Sequence, residues 1–299
     1  MEFDCEQCAG CCLDWRPVAP EDVELDHERR GGFEPLDDVY NLAPLSSDEV
    51  RQFVSEEFGD AMTPRLFRAR ESDNAVTIDG YEVAAIEGRV AFLVGLRKLP
   101  KPVDPFGLKA RWLPGCVFLD PETLQCRIHG SKVYPDTCAT YPGENLALDV
   151  DSECERVESA FDRPRLLDGS ADHVDPSIGP GSLGSRVFAH PDDTRLSGSV
   201  SRLVSGESTV EDRAEFVAVA AGSRPGTLTV DQKRYETARE SVLSTDSWVG
   251  RAGRAWVSHH DRGRSADPSL GTRIEESRGA PSTPGWTDRE PDGRNATQH

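Results

Sequence analysis

Residues 5–12 read CEQCAGCC, so Cys5, Cys8, Cys11 and Cys12 fall within eight positions. A C-x-x-C turn lets two thiolates face one ion while backbone N–H groups stay available to the sulfurs. Tetrahedral zinc needs four such ligands at about 2.3 Å. Cys5–Cys8 and Cys8–Cys11 each have this spacing. Neighbouring side chains diverge, so Cys11 and Cys12 cannot easily serve one ion together. The vicinal pair therefore implies two metal sites, or one ligand and one supporting thiol. Cys116, Cys126, Cys138 and Cys154 bring the count to eight, enough for two four-cysteine zinc sites or for one cluster with the rest structural. No cysteine follows Cys154.

Three chemistries compete for these thiols. Disulfides are arithmetically open, but Cys11–Cys12 is a poor pair. Acidic residues surround the run and no apolar signal segment is visible, so the cytoplasm is the expected compartment, where thiols are usually reduced. An iron–sulfur cluster fits the C-x-x-C-x-x-C run, with a fourth ligand from Cys116, Cys126 or Cys138. The ferredoxin completion C-x3-C-P is absent, since Leu13 follows Cys12 directly. A nucleophilic cysteine needs a base. His129, three residues after Cys126, is the nearest candidate, although a lone histidine there is more often structural. His27, His173, His190, His259 and His260 show no ligand spacing with the cysteines.

The rest of the composition narrows the function classes. The 299 residues carry a formal charge of −19, with lysine only at 98, 101, 109, 132 and 233. That balance is the pattern of a proteome adapted to high salt, as in a halophilic archaeon. Such salt screens self-repulsion within about 3 Å at 1 M. It counts against nucleic-acid binding, which needs clustered Lys and Arg. No run of 18 apolar residues exists, so no membrane partner is expected. Nucleotide-binding loops and a G-x-S-x-G elbow are absent.

Local patterns place the cysteines on elements. Residues 17–25 read as a turn into a short helix. Residues 46–59 form a helix capped by Ser46 or Ser47, with Val50, Phe53, Val54 and Phe58 on one face. Residues 75–96 suggest an antiparallel meander turning at Asp79-Gly80 and Glu87-Gly88. Residues 98–107 read as a proline-rich connector. GCVFLDPETLQCRIHG at 115–130 reads as a hairpin whose register sets Cys116 opposite Cys126. Cys138 lies in a loop or short helix at 134–143. Later helices are expected at 209–222, capped by Thr209 with Asp212, and at 229–257, capped by Thr229 with Gln232.

The order CEQCAGCC, then GCVFLDPETLQCRIH, then YPDTCATYP, then a last cysteine in SEC resembles the YkgJ-type CxxCxxCC cysteine-cluster family of zinc- or iron-chelating domain proteins. Cys5, Cys8, Cys11 and Cys12 match its first block. Cys116, Cys126 and Cys138 match the next two, with Pro135, Tyr141 and Pro142 in place, and Cys154 matches a further cysteine of many members. The family's Arg-Pro ahead of the third block is Tyr134-Pro135 here. The likeness covers roughly residues 5–155. It implies a metal-binding protein with all eight cysteines as candidate ligands, and zinc, iron or a [4Fe–4S] cluster as cofactor. A flagellin lysine methylase is similar in its cysteine region, which keeps an iron–sulfur enzyme acting on protein lysines open by analogy. A structural zinc module that recruits a protein partner through the 209–257 helices is the third reading.

The expected fold is α+β. A small irregular metal-organised domain with β-hairpins and short helices spans 1–160. A loop-rich extension with two helices follows at 161–257, and 258–299 is a polar, disordered tail.

Overall fold

The computed structural model describes residues 2–3, 7–23, 34–69, 74–143, 145, 151–162, 167–168 and 182–284. Its described strands are β1 (Glu2–Phe3), β2 (Glu34–Pro35), β3 (Met62–Arg68), β4 (Ala75–Ile78), β5 (Tyr81–Ile86), β6 (Arg89–Leu96), β7 (Lys98–Val103), β8 (Arg111–Cys116), β9 (Leu167–Asp168) and β10 (Phe188–Ala189). The described helices are α1 (Ser47–Ser55), α2 (Asp136–Thr140), α3 (Glu153–Phe161), α4 (Ser199–Val204), α5 (Val210–Gly222), α6 (Gln232–Ser244), α7 (Trp248–Asp261) and α8 (Pro268–Glu276). The fold is α+β, with antiparallel pairing throughout the named sheets.

The main sheet runs β10-β6-β3-β5-β4, with β2 also on β3. The meander β4–β5–β6 forms as the sequence predicts. Asp79 and Gly80 at one turn and Glu87 and Gly88 at the other all take positive φ, the twist that tight hairpins need. Helix α1 begins at the Ser46 cap, in a reciprocal capping box with Glu49, and buries Val50 and Phe53. It ends four residues before Gly59, which instead packs against Val242. Helix α5 is buried from Ala214 to Gly222, with Glu215 paired to His190 and Arg195, and lies within the core. Phe92 of β6 meets Phe216 of α5 and Phe188 of β10 at 4.9 and 5.5 Å. One core thus joins residues on both sides of position 160.

Four expectations change. The helix read over 229–257 is two. Asp231, not Thr229, caps α6, and Ser247 caps α7 through the amides of Val249 and Gly250. Thr245, Asp246 and Ser247 stand between them, three residues whose side chains compete for backbone bonds and favour caps. The stretch 98–107 is not only a connector, because β7 pairs with β8 from Lys98↔Cys116 to Val103↔Arg111. Its prolines sit on a two-stranded ribbon, where a missing N–H is tolerated. Residues 258–284 are also folded rather than a tail. Helix α7 runs to Asp261, and α8 buries Glu275 completely. Among residues 19–23 no helix forms, and 24–25 lie outside the described residues.

Candidate metal centre

The cysteine run is a tight, strained turn. Gln7 and Ala9 take φ of 55° and 53°. A left-handed backbone costs a non-glycine residue about 1–2 kcal/mol. The Ala9 carbonyl accepts the amides of Cys12 and Leu13 at 2.9 and 3.0 Å. The run is then fastened to the end of β8. Cys116 N–H donates to Cys12 O at 2.9 Å, Asp14 N–H donates to Pro114 O at 2.7 Å, and Leu13 bridges Gly115. These bonds deliver Cys12 to Cys116 across roughly 100 residues of sequence.

The predicted hairpin register does not form. Cys116 faces Lys98 across the β7–β8 ribbon, and Cys126 faces Leu119 in an isolated bridge. Asp120 N–H donates to Gln125 O and Arg127 N–H to Phe118 O, so a short loop replaces the long strands. The loop still brings Cys126 back towards Cys116. Cys138 arrives on α2, which Asp136 N–H pins to the Glu49 carboxylate at 2.7 Å and Thr137 Oγ1 pins to Pro44 O at 3.0 Å.

Cys12, Cys116, Cys126 and Cys138 converge, with each thiol in electrostatic reach of the other three. Burial first, then Cys12, pushes the Cys116 thiol up to about 11. Burial followed by Cys12 and Cys116 raises Cys126, and burial followed by Cys12, Cys116 and Cys126 raises Cys138. Cys12 is raised first by its bond to Cys11, whose sulfur lies 3.9 Å away, and then by burial. Four half-buried thiols that oppose each other's ionisation reverse that behaviour when a cation joins them.

Donors are already in place around them. The amide of Phe118 reaches the Cys116 sulfur, and that of Ile128 reaches the Cys126 sulfur. Each is two residues after its cysteine, so the two loops present the same N–H···S turn. Lys98 projects from the same ribbon. Its Nζ is buried without a hydrogen-bond partner, near Cys12, Cys116 and Cys11. The other nearby lysine, Lys101, is already committed. Its Nζ bonds Val117 O at 3.0 Å, Leu119 O, and Glu275 Oε1 at 2.8 Å.

Cys8 and Cys154 belong to another cluster. Cys8 is buried with Trp15, Tyr40, Phe106 and Val157, and Cys154 of α3 packs on that cluster. Tyr141, raised mainly by burial, feels Cys11 and Cys154. Gly10 lets the run sit against α3, since a Cβ there would meet Val157 Cγ2 at 2.7 Å. Cys5 lies outside the described residues. The His129 ring packs on Tyr134 with centroids 4.9 Å apart. Among the described residues, no three His, Cys, Asp or Glu side chains stand in ligating geometry. The donor set itself, with four thiols, two amides and an uncompensated ammonium, has the chemistry of a thiolate site for a soft or borderline metal.

Sequence reasoning found all four converging thiols but missed Lys98 and the helix carrying Cys154. Ser152 and Glu155 form a capping box on α3, a signal visible in the sequence. Nothing in the sequence marks Lys98, because its role follows from β7 pairing with β8.

Among the described residues, no helix is long and apolar enough to cross a membrane. No curated protein and no solved structure matches the chain. A family model does match, over residues 1–287, and the chain belongs to that family, a family of unknown function designated DUF7531.

Proposed function

We propose that the protein binds zinc or iron through cysteine thiolates, with one centre on Cys12, Cys116, Cys126 and Cys138. The observation that carries this reading is the mutual approach of four half-buried cysteines from three separate segments. The resemblance to the CxxCxxCC cysteine-cluster family supports it. Cys8, Cys11 and Cys154 form a second set, to which Cys5 belongs by spacing alone. The vicinal pair divides the two sets, as diverging neighbours require. The metal would supply positive charge that turns the raised thiols into stable thiolates.

The test is metal analysis of the full chain purified anaerobically, with visible and EPR spectra of the same sample. At least one zinc or iron per chain is expected, falling in the C116S, C126S and C138S variants. A folded, metal-free chain would rule the reading out. A coloured, EPR-active preparation would favour the iron–sulfur enzyme, and a colourless zinc protein would exclude it. The partner-recruiting module has less to use than the sequence suggests, because α5 spends its surface on the core.

A further inference from the structure

We propose that Lys98 is the charge partner of the thiolate centre, donating an N–H···S bond to the Cys12–Cys116 pair and setting how tightly the metal is held. The inference rests on the metal-binding reading above and adds a residue that no cysteine motif contains.

The register supports it. Lys98 and Cys116 are direct partners in the antiparallel ribbon. Side chains directly opposite one another share a face, with Cβ atoms about 4.5–5.5 Å apart. The lysine's ammonium end is buried and makes no hydrogen bond, although it has three donors to satisfy. The Tyr40 ring lies 6.0 Å from Nζ and offers only a weak cation–π contact. A buried, unpartnered ammonium is costly and calls for an explanation. Asp14 is held by Arg16 Nη2 at 2.6 Å. The sulfurs of Cys116, its register partner, and of Cys12 are the acceptors beside it.

Charge counting gives the same answer. A divalent ion on four thiolates carries a net −2. The two backbone amides stabilise sulfur without altering that total, and Lys101 is neutralised by Glu275. Lys98 is therefore the cation that reduces the charge of the buried centre. It also gives the ammonium its missing acceptor.

This predicts opposite effects in the two states of one protein. In the metal-free chain, Lys98→Met removes an orphaned buried charge and should raise the unfolding midpoint. In the loaded chain it should weaken zinc binding by about tenfold or more, the usual cost of losing such a supporting contact. Zinc affinity is read on the full chain by competition with a chromogenic chelator, and the sulfur-to-cobalt charge-transfer band by Co²⁺ titration. K98M should shift that band, while K98R should keep it and hold zinc close to the original strength. If K98M binds zinc as tightly as the unaltered chain, or loses midpoint in both states, the assignment of Lys98 is overturned and the metal centre stands. If the unaltered chain takes up neither Zn²⁺ nor Co²⁺, both fail together.

Discussion

Gly10 measures how closely the cysteine run is held. A methyl group there would stand 2.7 Å from Val157 Cγ2, and Val157 is fully buried. Neither partner has room to move, because Val157 packs among Cys8, Trp15 and Phe106. Gly10→Ala should therefore destabilise the fold by about 1–3 kcal/mol, the usual cost of overpacking. Denaturant unfolding checks this, and the double variant G10A/V157A supplies the control. Removing the clashing methyls should make the pair less destabilising than the sum of the single changes. Additive losses would place the strain elsewhere, in the left-handed backbone at Gln7 and Ala9.

At the scale of the element, α5 is governed by one carboxylate. Asp212 closes the capping box with Thr209, takes Arg202 Nη2 at 2.6 Å, and accepts the Ser199 hydroxyl at 2.6 Å. Burial alone would raise its pKa, but the Arg202, Ser199 and Thr209 bonds overcome that and hold it well below the usual aspartate range. A carboxylate with a depressed folded pKa contributes stability that is fully present above its unfolded value, about 3.9. That contribution is lost as pH falls through the lower folded value. Asp212→Asn should thus cost stability at neutral pH, about 0.5–2 kcal/mol for an impaired cap. It should also flatten the melting temperature against pH below about pH 4. A D212N acid limb parallel to that of the unaltered chain would contradict this. This helix and α1 were readable because their signals are local, a cap and an N3 acid, and the β4–β6 meander because Asp79-Gly80 and Glu87-Gly88 mark its turns. The α6–α7 break was not, although Ser247 carried a cap signal. The Asp60 carboxylate that accepts the Ser247 hydroxyl and amide lies 187 residues earlier. The β7–β8 ribbon escaped for a similar reason, since Pro100 and Pro102 argue against a strand unless both lie on an edge.

At the scale of the molecule, the C-terminal residues read as a tail prove to hold the cysteine loop. Glu275 is fully buried between Lys101 Nζ at 2.8 Å and Arg127 Nε at 2.5 Å. Asp120 pairs with Arg127 and accepts Thr272 and Thr283 hydroxyls, and Arg127 Nη1 reaches Pro281 O. Composition suggested disorder here because polar residues dominate. The segment folds because its few buried charges are paired across the chain, which a single window of sequence does not reveal. Breaking such a network leaves uncompensated charge, so Glu275→Gln should cost about 3–5 kcal/mol. The consequence should travel further. Lys101 holds the carbonyls of Val117 and Leu119, and Arg127 directly follows Cys126. The residues that anchor α8 are therefore the ones that shape the loop between two proposed ligands. In a metal-loaded chain, E275Q should speed chelator-driven metal loss and raise hydrogen exchange both in 268–276 and in 117–128. If exchange rises only in 268–276 and metal loss keeps its rate, α8 is a stabilising cover without purchase on the centre. If both respond, α8 belongs to the same cooperative unit as the loop between Cys116 and Cys126.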